Sequence, residues 1–189
     1  MGSAFALNPH HDKVMVGYFT AFYDDLLSGR SVQSILEIGV RDGDSMLLWR
    51  SGFPDALLYG MDIAEKPGRL DGDDKIVFIR GDAYTERSAL LAAQMRVGGY
   101  DVVIDDGQHS IESQEFFLRR YADVVAHGGL MVLEDISDVM DIPRLCECVD
   151  TSRFSVRPIV VPPEMMDEPF RSQFRSGIGV IVAERLALT

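Results

Sequence analysis

Five short apolar runs, each stopping at an acidic residue, constrain this chain more than any other feature. They span residues 33–39, 56–62, 75–80, 101–105 and 130–134. Their C-terminal ends read Glu37/Gly39, Asp62, Asp82, Asp105/Asp106 and Glu134/Asp135. Nearly continuous apolar strands of this kind are buried on both faces, as in parallel sheets covered by helices. The segments between the later runs fit helical crossovers. Residues 84–96 are rich in Ala and Leu, and residues 110–126 carry Phe117, Tyr121, Val124 and Val125 on one helical face. Strands alternating with helices predict an α/β, Rossmann-like, doubly wound and mostly parallel sheet. In such sheets ligands bind beyond the carboxyl ends of the strands, where these acids would gather.

The remaining elements fit around this sheet. A helix is expected over residues 11–28, with Met15, Tyr18, Phe19, Phe22 and Leu26 in one stripe and Gly29 ending it. A short helix opens at Ser45 and contains Trp49, and another is expected over 138–149. Residues 154–161 and 178–183 suit a closing C-terminal antiparallel hairpin. The loop over 162–175 is long enough to serve as a lid or contact segment. Met140, Met165, Met166, Phe170 and Phe174 suit an apolar acceptor pocket or, by preference, packing or a subunit contact, and with the latter a homodimer or higher homo-oligomer. The whole, 1–189, reads as a single domain with its N-terminal helix within 1–30.

Charge and composition exclude several classes. A formal net charge of −12 argues against a nucleic-acid partner, which would require surplus Lys and Arg. No apolar run reaches the length of a membrane span, and no secretory signal is evident. Cys146 and Cys148 are too close for an easy disulfide and too few for a zinc set, so both read as thiols in a reducing cytoplasm.

Two groups of residues carry chemistry. The first lies at the turn Glu37-Ile38-Gly39-Val40-Arg41-Asp42-Gly43-Asp44-Ser45. Gly39 and Gly43 let the backbone approach a ligand, but the Gly-x-x-x-Gly spacing and the acids disfavour a pyrophosphate. Glu37, Asp42 and Asp44 favour a positive ligand. Asp62 can accept the hydroxyls of a ribose, and Asp82 the amine of an adenine. A cofactor with a ribose, an adenine and a cationic end is S-adenosylmethionine. The second group is Asp106, His109, Glu134 and Asp135, with Asp105 facing the cofactor side or supporting its turn. Three carboxylates suit a hard divalent cation, Mg²⁺ rather than Zn²⁺. His109 lies near enough to take a proton from an acceptor hydroxyl.

Several of these residues carry a resemblance. They are Leu36-Glu37-Ile38-Gly39-Val40 with Gly43 and Ser45, then Trp49, Phe53-Pro54, Gly60-Met61-Asp62-Ile63 and Gly81-Asp82. Ile104-Asp105-Asp106-Gly107-Gln108-His109 and Gly128-Gly129 through Glu134-Asp135 complete them, with Asp12-Lys13 near the start. In these the chain resembles the class I S-adenosylmethionine-dependent O-methyltransferases, in particular the metal-dependent macrolide-sugar and rhamnosyl group with its cephalosporin-hydroxylase-named relatives. It departs at Gln108, where that family commonly has Ser. The resemblance implies that Asp106, Glu134 and Asp135 hold Mg²⁺, that His109 is the general base, and that the acceptor is a hydroxyl of a small natural product, a sugar or vicinal diol. Other readings stay open at this stage. They are a cofactor-binding protein or cyclase that transfers no methyl group, and an NAD-linked oxidoreductase on the same sheet.

Overall fold

The computed structural model describes residues 17–166, 168, 172, 174 and 176–187. Residues 11–16 of the expected N-terminal helix lie outside the described residues, as do Asp12-Lys13 and Phe170. The helices are α1 (Gly17–Leu27), α2 (Asp44–Gly52), α3 (Glu86–Met95), α4 (Ile111–Arg120) and α5 (Ile142–Cys146). The strands are β1 (Ser34–Ile38), β2 (Leu57–Asp62), β3 (Ile76–Arg80), β4 (Tyr100–Asp105), β5 (Val125–Ile136), β6 (Phe154–Val161) and β7 (Ile178–Arg185). They form one seven-stranded sheet in the order β3-β2-β1-β4-β5-β7-β6. Pairing is parallel from β3 through β5, and β7 runs antiparallel to both β5 and β6. The expected parallel sheet and closing antiparallel pair are both present, with β7 inserted between β5 and β6.

Strand alternation sorts the core into two layers. Ile35, Ile104, Val132, Val180 and Val182 face one side, where Phe22, Tyr23 and Leu26 of α1 and Met46 and Trp49 of α2 cover them. Leu36, Ile38, Val103, Met131, Leu133 and Ile181 face the other, under Ala89 and Ala92 of α3 and Phe117 and Leu118 of α4. Met166 is buried in the first layer, whereas Met140 and Met165 are exposed. No helix among the described residues is long and apolar enough to cross a membrane.

Several boundaries differ from the sequence expectation. α3 begins at Glu86 because Thr85, in extended conformation, caps it by accepting the Ser88 N–H at 3.2 Å. The helix expected over 110–126 ends at Arg120. Tyr121–Val124 tighten into a 3₁₀ turn whose Tyr121 hydroxyl donates to the Ala83 carbonyl at 2.8 Å. Val125 already belongs to β5, paired with Tyr100, and the register then slips before Val102 meets Leu130. Gly128-Gly129 therefore lie within β5 rather than before it. Of 138–149, only Ile142–Cys146 is α-helical, after a 3₁₀ turn over Val139–Asp141.

Polar clamps fix the strand starts. Asp101 Oδ2 accepts from the Gln33 N–H and the Ser34 hydroxyl, both at 2.9 Å, and ties β4 to β1. Arg50, at the end of α2, forks onto Asp73 at 2.7 and 3.3 Å, and the Lys75 N–H adds a bond at 2.9 Å. Burial alone would raise the Asp73 carboxyl, but the Arg50 bond, the Lys75 N–H and the Arg50 charge outweigh it and hold it below its ordinary value. A lowered carboxyl contributes stability above its unfolded pKa of about 4, lost as pH falls through the folded value. Asp73→Asn is expected to cost about 1 kcal/mol at pH 7. In denaturant titrations its difference from the parent should vanish in acid.

Candidate active site

The carboxyl ends of β1, β2, β4 and β5 meet at one edge of the sheet, and local backbone decides what each presents. Gly39 follows β1 with φ +88°, and a Cβ there would stand 2.1 Å from the Asp106 carbonyl oxygen. The residue is glycine because the β1 turn seats on the Asp106-Gly107 backbone, a packing demand of the chain itself. The Asp106 N–H donates to the Ile38 carbonyl at 3.0 Å. Gly43 precedes α2 and lies against the Leu70 side chain. Both glycines thus serve the fold of the loop in addition to the ligand approach expected of them.

The acids expected to line a cofactor site lie at this edge. Glu37 is fully buried and accepts the Ser45 hydroxyl at 2.7 Å. Asp62 accepts the Arg41 and Ala64 N–H groups, both at 2.8 Å, which ties the β1 and β2 loops together. Asp82, exposed, accepts the Tyr84 N–H at 2.9 Å. The two outer loop acids are already engaged: Asp42 faces Arg41 at 3.8 Å, and Asp44 pairs with Arg69.

Asp105 points to the α3–α4 side, in step with Val103. Its Oδ1 accepts the Tyr84 hydroxyl at 2.7 Å and the Gly107 N–H at 3.2 Å, while no described residue bonds its buried Oδ2. Burial pushes its carboxyl up to about 7, against the lowering effect of those two bonds; the charges of Asp106 and Glu134 add to the rise. Of the two roles the sequence left to Asp105, the structure favours support of the turn.

Asp106, His109 and Asp135 converge. Each offers one ligand atom, and these atoms all lie within 4.8 Å of one another. His109 Nε2 is 3.9 Å from Asp106 Oδ1 and 3.9 Å from Asp135 Oδ2. Two of the three rest on unusual backbone, with φ 57° at His109 and 53° at Asp135. The only other described non-glycine residue with positive φ is Arg41, at the same edge. Left-handed His and Asp residues are tolerated where surrounding structure holds them, and they concentrate at functional sites.

Asp135 depends on a bulge. Between the pairs Leu133–Ile181 and Ile136–Gly179, β5 has one residue more than β7. In a regular strand Glu134 and Asp135 would face opposite sides of the sheet; a bulge re-aims the side chain. The buried Gln114 amide of α4 reaches the Asp135 carbonyl at 3.4 Å. Glu134 keeps the parity of Val132 and is 1% exposed, and its Oε1 accepts the Tyr23 hydroxyl from α1. Glu134 is not one of the three residues whose ligand atoms gather within 4.8 Å; its carboxylate is buried one residue before Asp135. Burial, followed by the Glu134 charge and bond, raises the Tyr23 hydroxyl well above its ordinary value, and it remains a donor.

Tyr23, Tyr84 and Gln114 were missed as site residues in the sequence. Tyr23 continues the three- and four-residue spacing of the α1 stripe, but nothing in that spacing reveals that its hydroxyl ends on Glu134.

No family model matches the chain. It is 31% identical over 128 residues to the 8-demethyl-8-(2-methoxy-alpha-L-rhamnosyl)-tetracenomycin-C 3'-O-methyltransferase of Streptomyces olivaceus, covering 63% of this chain and 32% of that protein. It is 34% identical over 128 residues to the mycinamicin VI 2''-O-methyltransferase of Micromonospora griseorubida, covering 63% and 31%. The chain thus spans about a third of the length of the curated relatives it matches. Among solved structures, the MycE methyltransferase of the mycinamycin biosynthetic pathway, in complex with Mg and SAH, superposes with a TM-score of 0.62 at 22% identity, over 90% of this chain and 50% of that one. An O-methyltransferase from Bacillus cereus in complex with SAH gives 0.66 at 14% identity, over 96% and 83%. The fold is that of the class I methyltransferases.

Two outcomes are expected from this geometry. Gly39→Ala places a methyl group against the Asp106 carbonyl in a left-handed backbone and should cost about 3 kcal/mol or more in chemical denaturation. Asp105 is protonated in the folded state at pH values where the unfolded chain is ionised, so stability should fall as pH rises from about 4 to about 7 and then level off. Asp105→Asn should abolish that slope, on the order of a few kcal/mol, in denaturation measured across the same pH range.

Proposed function

We propose that this chain forms the catalytic unit of an S-adenosylmethionine-dependent, Mg²⁺-dependent O-methyltransferase acting on a hydroxyl of a small natural product, a sugar or vicinal diol. The observation that carries this reading is the convergence of Asp106, His109 and Asp135 beside the Glu37–Asp62 row at the ligand-binding edge of a class I methyltransferase fold. Its similarity to sugar O-methyltransferases supports the same acceptor class.

The residues fit both groups. The Asp106 and Asp135 carboxylate oxygens lie within 4.8 Å of one another and of the His109 imidazole, so the two acids are placed to share a divalent cation with the base beside it. Asp106 and Asp135 would hold the ion, with Glu134 as the third carboxylate. Glu37, Gly39, Gly43, Ser45, Asp62 and Asp82 would hold the cofactor, with Asp105 behind them. Asp62 and Asp82 keep acceptor capacity beyond the N–H groups they bind, since each carboxylate oxygen has two lone pairs. Buried Glu37 complements a cationic ligand end. When bound, the cofactor supplies a methyl group on a sulfonium, and Mg²⁺ supplies Lewis acidity that lowers the pKa of the acceptor hydroxyl.

The chain itself supplies alignment and a base. His109 accepts the hydroxyl proton, which leaves the acceptor oxygen as the nucleophile. The His109 Nε2 lies 3.9 Å from Asp106 Oδ1 and 3.9 Å from Asp135 Oδ2, which places the base beside the acids that would hold the ion. The left-handed backbone at His109 and the bulge at Asp135 hold these groups in place before the acceptor arrives, and so reduce the entropy cost of alignment.

His109→Ala is expected to lower turnover about 10²- to 10⁴-fold, with affinity for S-adenosylhomocysteine within about twofold. Transfer from labelled cofactor to a panel of deoxysugar glycosides and vicinal diols, with product mass as readout, checks the first. Calorimetry checks the second. Activity that survives both this substitution and EDTA would sink the proposal, and a product without added methyl mass would point to non-methylating chemistry.

A further inference from the structure

We propose that Tyr23 is a positioning residue that holds Glu134 in place for the divalent cation, so that α1 is part of the site and not only its cover. The inference rests on the Mg²⁺-dependent reading above and extends it to a residue outside the strand-end loops.

Tyr23 is 2% exposed and Glu134 1%, and they meet hydroxyl to carboxylate although 111 residues separate them in the chain. The ring is fixed from the side. It stands edge-on to Trp49 at 4.8 Å and to Phe22 at 5.0 Å between centroids. Trp49 comes from α2, the helix that follows the Glu37–Ser45 turn. The charges of Asp106 and Glu37 also reach the Tyr23 hydroxyl.

The chemistry of the donor suits the task. A glutamate side chain loses close to the largest rotamer entropy of any residue on being fixed. A partner that fixes it in advance removes that cost from cation binding. A phenol holds one carboxylate oxygen without cancelling the charge, whereas an arginine in its place would compete with the cation. Partners of this kind, bonded to a ligand rather than to the metal, typically change metal affinity by about 10- to 100-fold.

The test is Tyr23→Phe, which keeps the ring against Trp49 and removes only the hydroxyl. Mg²⁺ affinity is measured by calorimetry, Mn²⁺ by electron paramagnetic resonance, S-adenosylhomocysteine affinity in the absence of metal, and Tm separately. The expected result is a 10- to 100-fold weaker Kd for both cations, with S-adenosylhomocysteine affinity within about twofold. Glu134→Gln should weaken cation binding at least as much, and adding Tyr23→Phe to it should cause little further loss. Cation affinity within twofold of the parent in a folded Tyr23→Phe protein overturns the inference, as does an equal loss of cation and S-adenosylhomocysteine binding, which would mark a general packing role. A parent protein that takes up neither Mg²⁺ nor Mn²⁺ at millimolar concentration removes the metal reading itself, and this inference with it.

Discussion

The seating of Gly39 on the Asp106-Gly107 backbone is the contact on which the rest of the site depends. It joins the ends of β1 and β4, neighbouring strands that carry the two halves of the site. The Gly39 N–H bonds the Met61 carbonyl at 2.9 Å, which brings β2 into the same arrangement. Asp106 can therefore sit only where β1 allows. On its other side Tyr84 holds Asp105 and accepts the Gln108 N–H at 3.0 Å, so the short loop that leads to His109 is held on both flanks. A side chain at position 39 would separate these two strand ends before it touched any ligand.

The acids at this edge are treated differently according to depth. Asp42 and Asp44, on the outside, face Arg41 and Arg69. Deeper in, hydroxyls of Ser45, Tyr84 and Tyr23 bond Glu37, Asp105 and Glu134. A hydroxyl satisfies a carboxylate oxygen but does not neutralise it, so the inner edge keeps a negative field that favours cationic ligands. The rise of Asp105 to about 7 follows first from burial, with the neighbouring charges of Asp106 and Glu134 adding to it. A cationic ligand at this edge would relieve that repulsion.

Much of the fold was legible because burial on both faces leaves a parallel strand no choice but a nearly continuous apolar run. The β1–β5 cores were found on that pattern, and so was the acidic edge. Helix ends were less legible. Tyr121 and Val124 carry a helical spacing, yet Tyr121–Val124 closes as a 3₁₀ turn, and Val125 is taken by the sheet through pairing with Tyr100. Side-chain partners were not legible at all. Nothing near Glu134 in sequence names Tyr23, and nothing near Asp105 says that Tyr84 will approach it from the loop before α3.

The sequence by itself determined the α/β class, the strand-end placement of Glu37, Asp62, Asp82, Asp105, Asp106, Glu134 and Asp135, and the position of His109 close behind Asp106. These follow from periodicity and from spacing along one chain. Tertiary structure alone decided how those acids divide. Asp135 joins Asp106 and His109 because an extra residue in β5 against β7 and a left-handed backbone turn it out of the strand's alternation. Glu134, one residue away, stays with its strand and meets α1. The reason is physical: the direction of a side chain at a strand end is set by the neighbour strand's register, and that register belongs to residues far away in the chain.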